Sequence, residues 1–466
     1  MGIVIGVDSS TQSCKVLTVD AATGDVLSAG AAAHPDRTAV DPCIWTTALK
    51  EAWHSAGAHE AGKAVAAVGI AAQQHGMIAL DGTGTPVHEA LLWNDSRSAM
   101  DAARIRDALG ARAWADAVNL VPVASFTVTK LAWLARQHPE IAARVAQVVL
   151  PHDWLNGALG GEFVTDRSDA SGTGYYSPQT NSYRTDLLQR FFGHIPELPR
   201  VVPSDVQAGV VQTGWGIDGA VLAAGAGDNA AAALGLGIQA GEIVVSIGTS
   251  GTVFTTLPSP VRDPSGAVAG FADATGQHLP LLAMLNAARV MTSTASMLDI
   301  DLSTLDKLAL GADPVAKGLT FLPYLDGERS PNLPHASGSL TGLTRNNMSA
   351  ENIARASVLG VVNSLADALD VLKQSGVVPS KVLLIGGGSR SQTLRQTAAA
   401  LFGLPVEVPA TREYVALGAA KQAAWAATGR LPIWERKIEA VYEPEGEWAT
   451  EARANYIAAR RNIYGI

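Results

Sequence analysis

Gly225-Ala226-Gly227-Asp228-Asn229 sets a carboxylate between a glycine-rich turn and an apolar run. Residues 220–226 read as a short apolar strand and residues 230–237 as the start of a tightly packed helix, so Asp228 falls at a strand-to-helix turn. Ligands of α/β sheets collect at the carboxyl ends of strands, where a fixed carboxylate is able to take a proton from an incoming hydroxyl. An Asp ahead of a helix is also an ordinary N-cap, and this stretch alone does not choose between the two.

The chain carries a second such aspartate. Ile3-Val4-Ile5-Gly6-Val7-Asp8 reads as a strand, followed by the polar turn Ser9-Ser10-Thr11-Gln12-Ser13 and a second apolar run over 14–19, which together predict a β-hairpin. Much later, residues 242–247, the small-residue turn Gly248-Thr249-Ser250-Gly251 and residues 252–256 repeat the device. Small residues let backbone N–H groups come close to phosphate oxygens, and hydroxyls add donors. One such turn is more often a bare connection. Two copies in matching contexts, with an aspartate closing each of two strands, point to phosphoryl transfer.

A third element, Gly386-Gly387-Gly388-Ser389-Arg390-Ser391, follows the strand at 381–385 and opens a helical run over 392–402, whose N-terminus is a candidate nucleotide site. G-x-G-x-x-G would need a further glycine near Arg390 or Ser391, and no G-x-x-x-x-G-K-[ST] occurs, which disfavours both a Rossmann dehydrogenase and a P-loop enzyme.

The 466 residues exceed a single core and suit two large lobes, and 47% hydrophobic residues with 46 glycines fit alternating α/β structure. A net charge of −9 without a basic run argues against a nucleic-acid surface. Cys14 and Cys43 make no disulfide framework or paired metal spacing, which suits a reducing cytoplasm, and both read as packing residues. The start of the chain has no basic n-region or cleavage site, and Gly6 fails the myristoylation pattern. The Ala-rich run at 223–240 is broken by Asp228 and glycines, short of the roughly 20 apolar residues that span a bilayer.

In this order, these elements resemble the FGGY family of carbohydrate kinases, and within it the xylulokinase branch. The resemblance rests on Ile5-Gly6-Val7-Asp8, Gln74-His75-Gly76, Leu92-Trp93-Asn94-Asp95-Ser96-Arg97, Gly227-Asp228-Asn229, Ser246-Ile247-Gly248-Thr249-Ser250-Gly251, the stretch from Phe321 through Tyr324, Asp326-Gly327-Glu328-Arg329 to Pro331, and Ile385-Gly386-Gly387-Gly388. It implies an α/β fold of two ribonuclease H-like lobes around a central cleft, as in the actin, hexokinase and Hsp70 ATPases. Residues 1–238 would form a sugar-binding lobe carrying the catalytic base. Residues 239–466 would form a nucleotide lobe whose C-terminal helix, 447–464, packs back on the first lobe.

The resemblance also implies roles. Asp228 is the expected base and Asp8 its catalytic partner and Mg²⁺ ligand. Gln74, His75, Gly76, Trp93, Asn94, Asp95, Asp228 and Asn229 are expected sugar contacts. Thr11, Gln12, Ser13, Gly248, Thr249, Ser250, Gly386, Gly387, Gly388 and Ser389 are expected to hold ATP. Taken on the residues alone, His75 also reads as a turn histidine, Trp93 as core, and Arg97 as a simple salt-bridge partner of Asp95. Glu328, Arg329 and Tyr324 are expected to stabilise a closed cleft. D-xylulose is the favoured acceptor, another pentulose or polyol such as ribulose the second reading, and a non-enzymatic sugar- and ATP-binding protein the third. A cytoplasmic enzyme is implied, with homodimers common in the family and neither nucleic acid nor membrane as partner.

Two positions depart from the family pattern. Asp8-Ser9-Ser10-Thr11 puts Ser10 where glycine is usual, and a positive φ there would be costly. Leu359 stands where a glutamate is familiar in the xylulokinase branch, predicting an altered helix surface.

Overall fold

The computed structural model describes residues 2–466. They divide into two compact units, one of residues 2–238, 257–279 and 412–435, the other of residues 239–256, 280–411 and 436–466.

In the first unit the strand Ile3–Ser9 pairs antiparallel with Ser13–Asp20, which pairs in turn with Val26–Ala33. On its other side Ile3–Ser9 runs parallel to Val65–Ala72, and beyond that lie Val221–Leu222 and Ala226–Gly227. Side chains alternate across these strands. Ile5, Val7, Val16, Val68 and Ile70 bury one face against Trp45, Leu49 and Trp53 of the helix Cys43–Ser55. Val4, Leu17, Val19 and Ala67 bury the other against Ala416, Leu417 and Ala420 of the helix Tyr414–Thr428.

That last helix corrects the sequence expectation, which assigned it to the second lobe. Its small-residue face seats it against the first sheet and the helix Asp228–Leu236: a Cβ on Gly418 would lie 1.8 Å from the Ala231 carbonyl oxygen. Gly418→Val should therefore lower stability by about 1–3 kcal/mol or more, measured by urea unfolding. The helix Trp448–Tyr464 is tied into the second unit. Arg453 binds Asp367 at 2.6 Å and Asp370 at 2.9 Å, and the Tyr456 hydroxyl lies 2.9 Å from that of Tyr324, all within the second unit.

The second unit repeats the opening device of the first. Gly251–Phe254, Glu242–Ile247, Lys381–Ile385, Val406–Pro409 and Ile438–Tyr442 lie side by side in that order, Glu242–Ile247 being antiparallel to the first and parallel to Lys381–Ile385. The helix Ala350–Gln374 supplies much of its core, Leu359 included, so the missing glutamate sits at a buried rather than a surface position.

Cys14 is buried in the first unit's core as expected, whereas Cys43 is exposed at the start of its helix and is not a packing residue. No helix among the described residues is long and apolar enough to cross a membrane.

Candidate active site

The central strand Val65–Ala72 decides where the two aspartates meet. Its last residue, Ala72, is paired with Ser9 on one side and with Gly227 on the other. Asp8 and Asp228 therefore arrive at the same carboxyl edge of one sheet.

The helix Asp228–Leu236 is capped at Gly227, so Asp228 is its first residue and not its N-cap. Its Oδ1 accepts from the backbone N–H of Asn229 at 2.7 Å and from the Asn229 side-chain amide at 2.8 Å. Both bonds fall on one oxygen, and no described residue donates to Oδ2. Burial pushes the Asp228 carboxyl up to about 7; the Asn229 bonds oppose the shift, and the nearby Asp8 and Asp169 carboxylates add to it.

Asp8 is buried, and burial carries it up to about 6 despite the Ser10 hydroxyl that donates to Oδ1 and the charge of Lys15. Ser10 does not adopt a positive φ, so the departure from glycine costs no left-handed strain. The turn is braced from outside by His34, whose ring Nδ1 lies 2.8 Å from the Ser10 carbonyl oxygen and whose backbone N–H donates to Gln12 O at 2.8 Å.

The expected sugar residues gather at this edge. Gln74 is buried beside Gly227, its amide donating to Ser168 O at 3.3 Å. His75 is held at φ 69°, its Nδ1 2.8 Å from the Gly172 carbonyl oxygen; that atom only accepts, so Nδ1 carries the proton. The buried Lys130 ammonium donates to His75 O at 2.9 Å and also to Ser125 O. Gly76 lies against Pro151. Trp93 donates its indole N–H to the Thr11 hydroxyl at 2.8 Å, tying its loop to the hairpin turn. Asp95 is buried, with Arg97 Nε at 2.8 Å on one oxygen and Thr38 Oγ1 at 2.9 Å on the other, bonds that hold it below the usual carboxylate range against the burial that raises it. It anchors the loop that leaves Asn94 exposed. Gln12 is exposed, and Ser13 begins the return strand.

In the second unit, Gly248, Thr249 and Ser250 form an accessible turn closed by a 3.0 Å bond from Gly248 N–H to Ser250 O. Gly386 and Gly388 press on Ile247, with no room for a Cβ at either, which brings the two glycine turns together; Ser389 donates to Gly386 O at 2.7 Å. The N-terminus of the helix Gln392–Phe402 is not a free anion site. Asp306 accepts from Gln392 N–H at 3.0 Å and Thr393 N–H at 3.1 Å, so a carboxylate of the chain already fills the place offered to a nucleotide. Glu328 is likewise spent inside this unit, accepting from Leu285 N–H at 2.7 Å, Asn286 at 2.9 Å and Arg329 N–H at 2.7 Å.

Residues not foreseen at the site are Lys130, His34, His152, Ser168, Asp169 and Gln422. The signals for two of them were present: a single amide, Gln422, in an Ala-rich helix, and the Asp166-x-x-Asp169 spacing of a capped turn.

Comparison with known proteins agrees with this architecture. Residues 3–235 match the N-terminal domain of the FGGY family of carbohydrate kinases and residues 243–427 its C-terminal domain. The chain is 48% identical to a xylulose kinase of Streptomyces coelicolor over 92% of its own length and 88% of the relative's, and 45% identical to that of Streptomyces rubiginosus over 95% and 92%. The crystal structure of xylulose kinase from Bifidobacterium adolescentis superposes with a TM-score of 0.90 at 40% identity, covering 98% of this chain and 99% of that one. With both domains matched and both glycine turns in place, the chain belongs to the FGGY family of carbohydrate kinases.

Proposed function

We propose that this chain phosphorylates D-xylulose with ATP, giving D-xylulose 5-phosphate and ADP. The observation that carries the reading is the pairing of Ala72 with Ser9 and Gly227, which delivers Asp8 and Asp228 to one sheet edge beside His75 and Trp93. The Streptomyces and Bifidobacterium relatives support D-xylulose as the acceptor.

In this mechanism the Asp228 carboxylate takes the proton of the sugar's terminal hydroxyl as that oxygen attacks the γ-phosphorus in line. The bond to the β-phosphate oxygen breaks and ADP leaves, without a covalent enzyme intermediate. His75, Gln74, Trp93, Asn94 and Asn229 orient the sugar. Thr11, Gln12 and Ser13 face phosphate from the hairpin turn, and Gly248, Thr249, Ser250, Gly386, Gly387, Gly388 and Ser389 hold the nucleotide in the second unit.

Asp8 suits a Mg²⁺ ion. Its buried carboxylate stands near the end of the strand at a hydroxyl-rich turn, with the Ser10 hydroxyl donating to Oδ1, and so offers a hard oxygen donor of the kind a hydrated cation takes. When bound with ATP, Mg²⁺ neutralises charge on the β- and γ-phosphates.

ADP release measured across D-xylulose, D-ribulose, L-ribulose, gluconate and glycerol tests the assignment; a preference for any acceptor other than D-xylulose overturns the substrate. Lys130→Met should raise KM for the sugar about tenfold through loss of charged hydrogen bonds to the His75 turn, with KM for ATP nearly constant. Steady-state kinetics with each substrate varied in turn checks this.

A further inference from the structure

Behind the Asp228 turn lies a charged cluster that the phosphoryl-transfer chemistry does not use. His152, Asp153 and Asp169 are all buried, with their ligand-type atoms within 4.8 Å of one another. His152 Nδ1 lies 2.7 Å from Asp169 Oδ2 and 3.2 Å from Asp153 Oδ1, and Nε2 lies 3.1 Å from the carbonyl oxygen of Ala224. A carbonyl oxygen only accepts, so Nε2 carries a proton. Nδ1, set between two carboxylates, carries the other. Burial opposes this charge, but Asp153 and Asp169 outweigh it and raise the ring to about 10. An imidazole protonated at both nitrogens has no lone pair for a metal, so the cluster is an ion network and not a metal centre despite its composition.

We propose that His152 is a positioning residue for Asp228: its imidazolium, gripped by Asp169 and Asp153, anchors the Ala224 carbonyl and thereby fixes the turn that presents the base. This rests on the reading of Asp228 as the base.

The backbone between Ala224 and Asp228 shows why an anchor is needed. The strand alongside Val65–Ala72 breaks between Val221–Leu222 and Ala226–Gly227, and side chains take over where ladder bonds end. Ala224 O also receives the Asn156 amide at 2.8 Å. Gln422 holds both ends of Gly225, accepting from its N–H at 2.9 Å and donating to its carbonyl at 2.7 Å. Ser168 Oγ accepts from Gly227 N–H at 3.1 Å, one residue before the Asp169 that holds His152. Gly225 has φ 88°, and a Cβ there would stand 2.3 Å from His152 Cδ2, so only glycine lets the ring reach its carbonyl. The cation also balances Asp169, whose carboxylate otherwise acts unopposed on Asp228.

The test compares the parent with His152→Gln, His152→Lys, the double variant H152Q/D169N and Asp228→Ala, using D-xylulose or whichever acceptor turns over, with MgATP. His152→Gln should lower kcat about 10- to 100-fold with KM for ATP within about twofold, the loss typical of a small misplacement of a reacting group. His152→Lys, which restores a buried cation, should recover kcat to within about threefold of the parent. The double variant should regain urea resistance, having no unpaired carboxylate at Asp169, yet remain slow. Parental turnover in His152→Gln beside an inactive Asp228→Ala overturns the anchor alone; an active Asp228→Ala overturns the base and the anchor with it. Equal losses in the Gln and Lys variants overturn the role of the charge. Nitrogen-15 NMR of the intact protein needs no variant: two protonated ring nitrogens on His152 at about pH 8 are expected, and a neutral ring overturns the proposal.

Discussion

Asp228→Asn drops kcat by about 10²- to 10⁴-fold while leaving both KM values within a few-fold, because the amide keeps the shape of the side chain and the bond to Asn229 but accepts no proton from the sugar. The base works only when ionised, and burial raises its pKa to about 7, so kcat/KM for the sugar in the parent should fall as pH drops through about 7. A pH profile that stays flat down to pH 5 would remove Asp228 from the chemistry. The same shift has a thermodynamic side. Its folded value lies above the ordinary 3.8, so the folded state holds this proton more tightly than the unfolded chain. The stabilisation is present at low pH and is lost as pH rises through about 7. Asp228→Asn should therefore be more stable than the parent at pH 8, by about 1–3 kcal/mol in urea unfolding. A variant that is both inactive and sturdier separates a catalytic carboxylate from a structural one.

Asp8→Asn is expected to lower kcat by about 10²- to 10³-fold, the scale of losing one charge aimed at a transferring group, and to raise the half-saturating Mg²⁺ concentration. Titrating Mg²⁺ at fixed ATP distinguishes this from simple disruption of the hairpin: a lower kcat with unchanged Mg²⁺ dependence would take the ion away from Asp8. The residual activity should also show its acid limb at lower pH. Removing the Asp8 charge removes a repulsion that raises Asp228, so the base ionises sooner.

Features written locally in the chain were legible before any fold was known. An apolar run that closes on aspartate and a polar turn, as at Asp8, or a glycine pair leading into a helix, as at Asp228, carries its geometry within a few residues. What escaped reading depends on partners distant in sequence. Gln422 meets Gly225 across 197 residues, and nothing near either one signals the other. Asp306 takes the helix N-terminus behind Gly386-Gly387-Gly388, a site that looks vacant when only its own strand and helix are considered. Glu328 was expected to stabilise a closed cleft, yet it is buried with donors from three neighbouring groups. Assigning residues 239–466 to one lobe missed the allegiance of the helix Tyr414–Thr428: alanine faces fit any close surface, and only the approach of Gly418 to Ala231 selects one.

That allegiance bears on synthesis and dissection. One wall of the first core is encoded more than 170 residues after the unit's opening segment ends at Ile238. A ribosome releasing the chain from the N-terminus exposes the sheet face of Val4, Leu17 and Val19 long before its cover emerges, so this half cannot mature until translation is nearly complete. A fragment cut at 238 is an unfinished object, and adding residues 412–435 as a separate peptide should restore its compactness where lengthening it by a few residues does not.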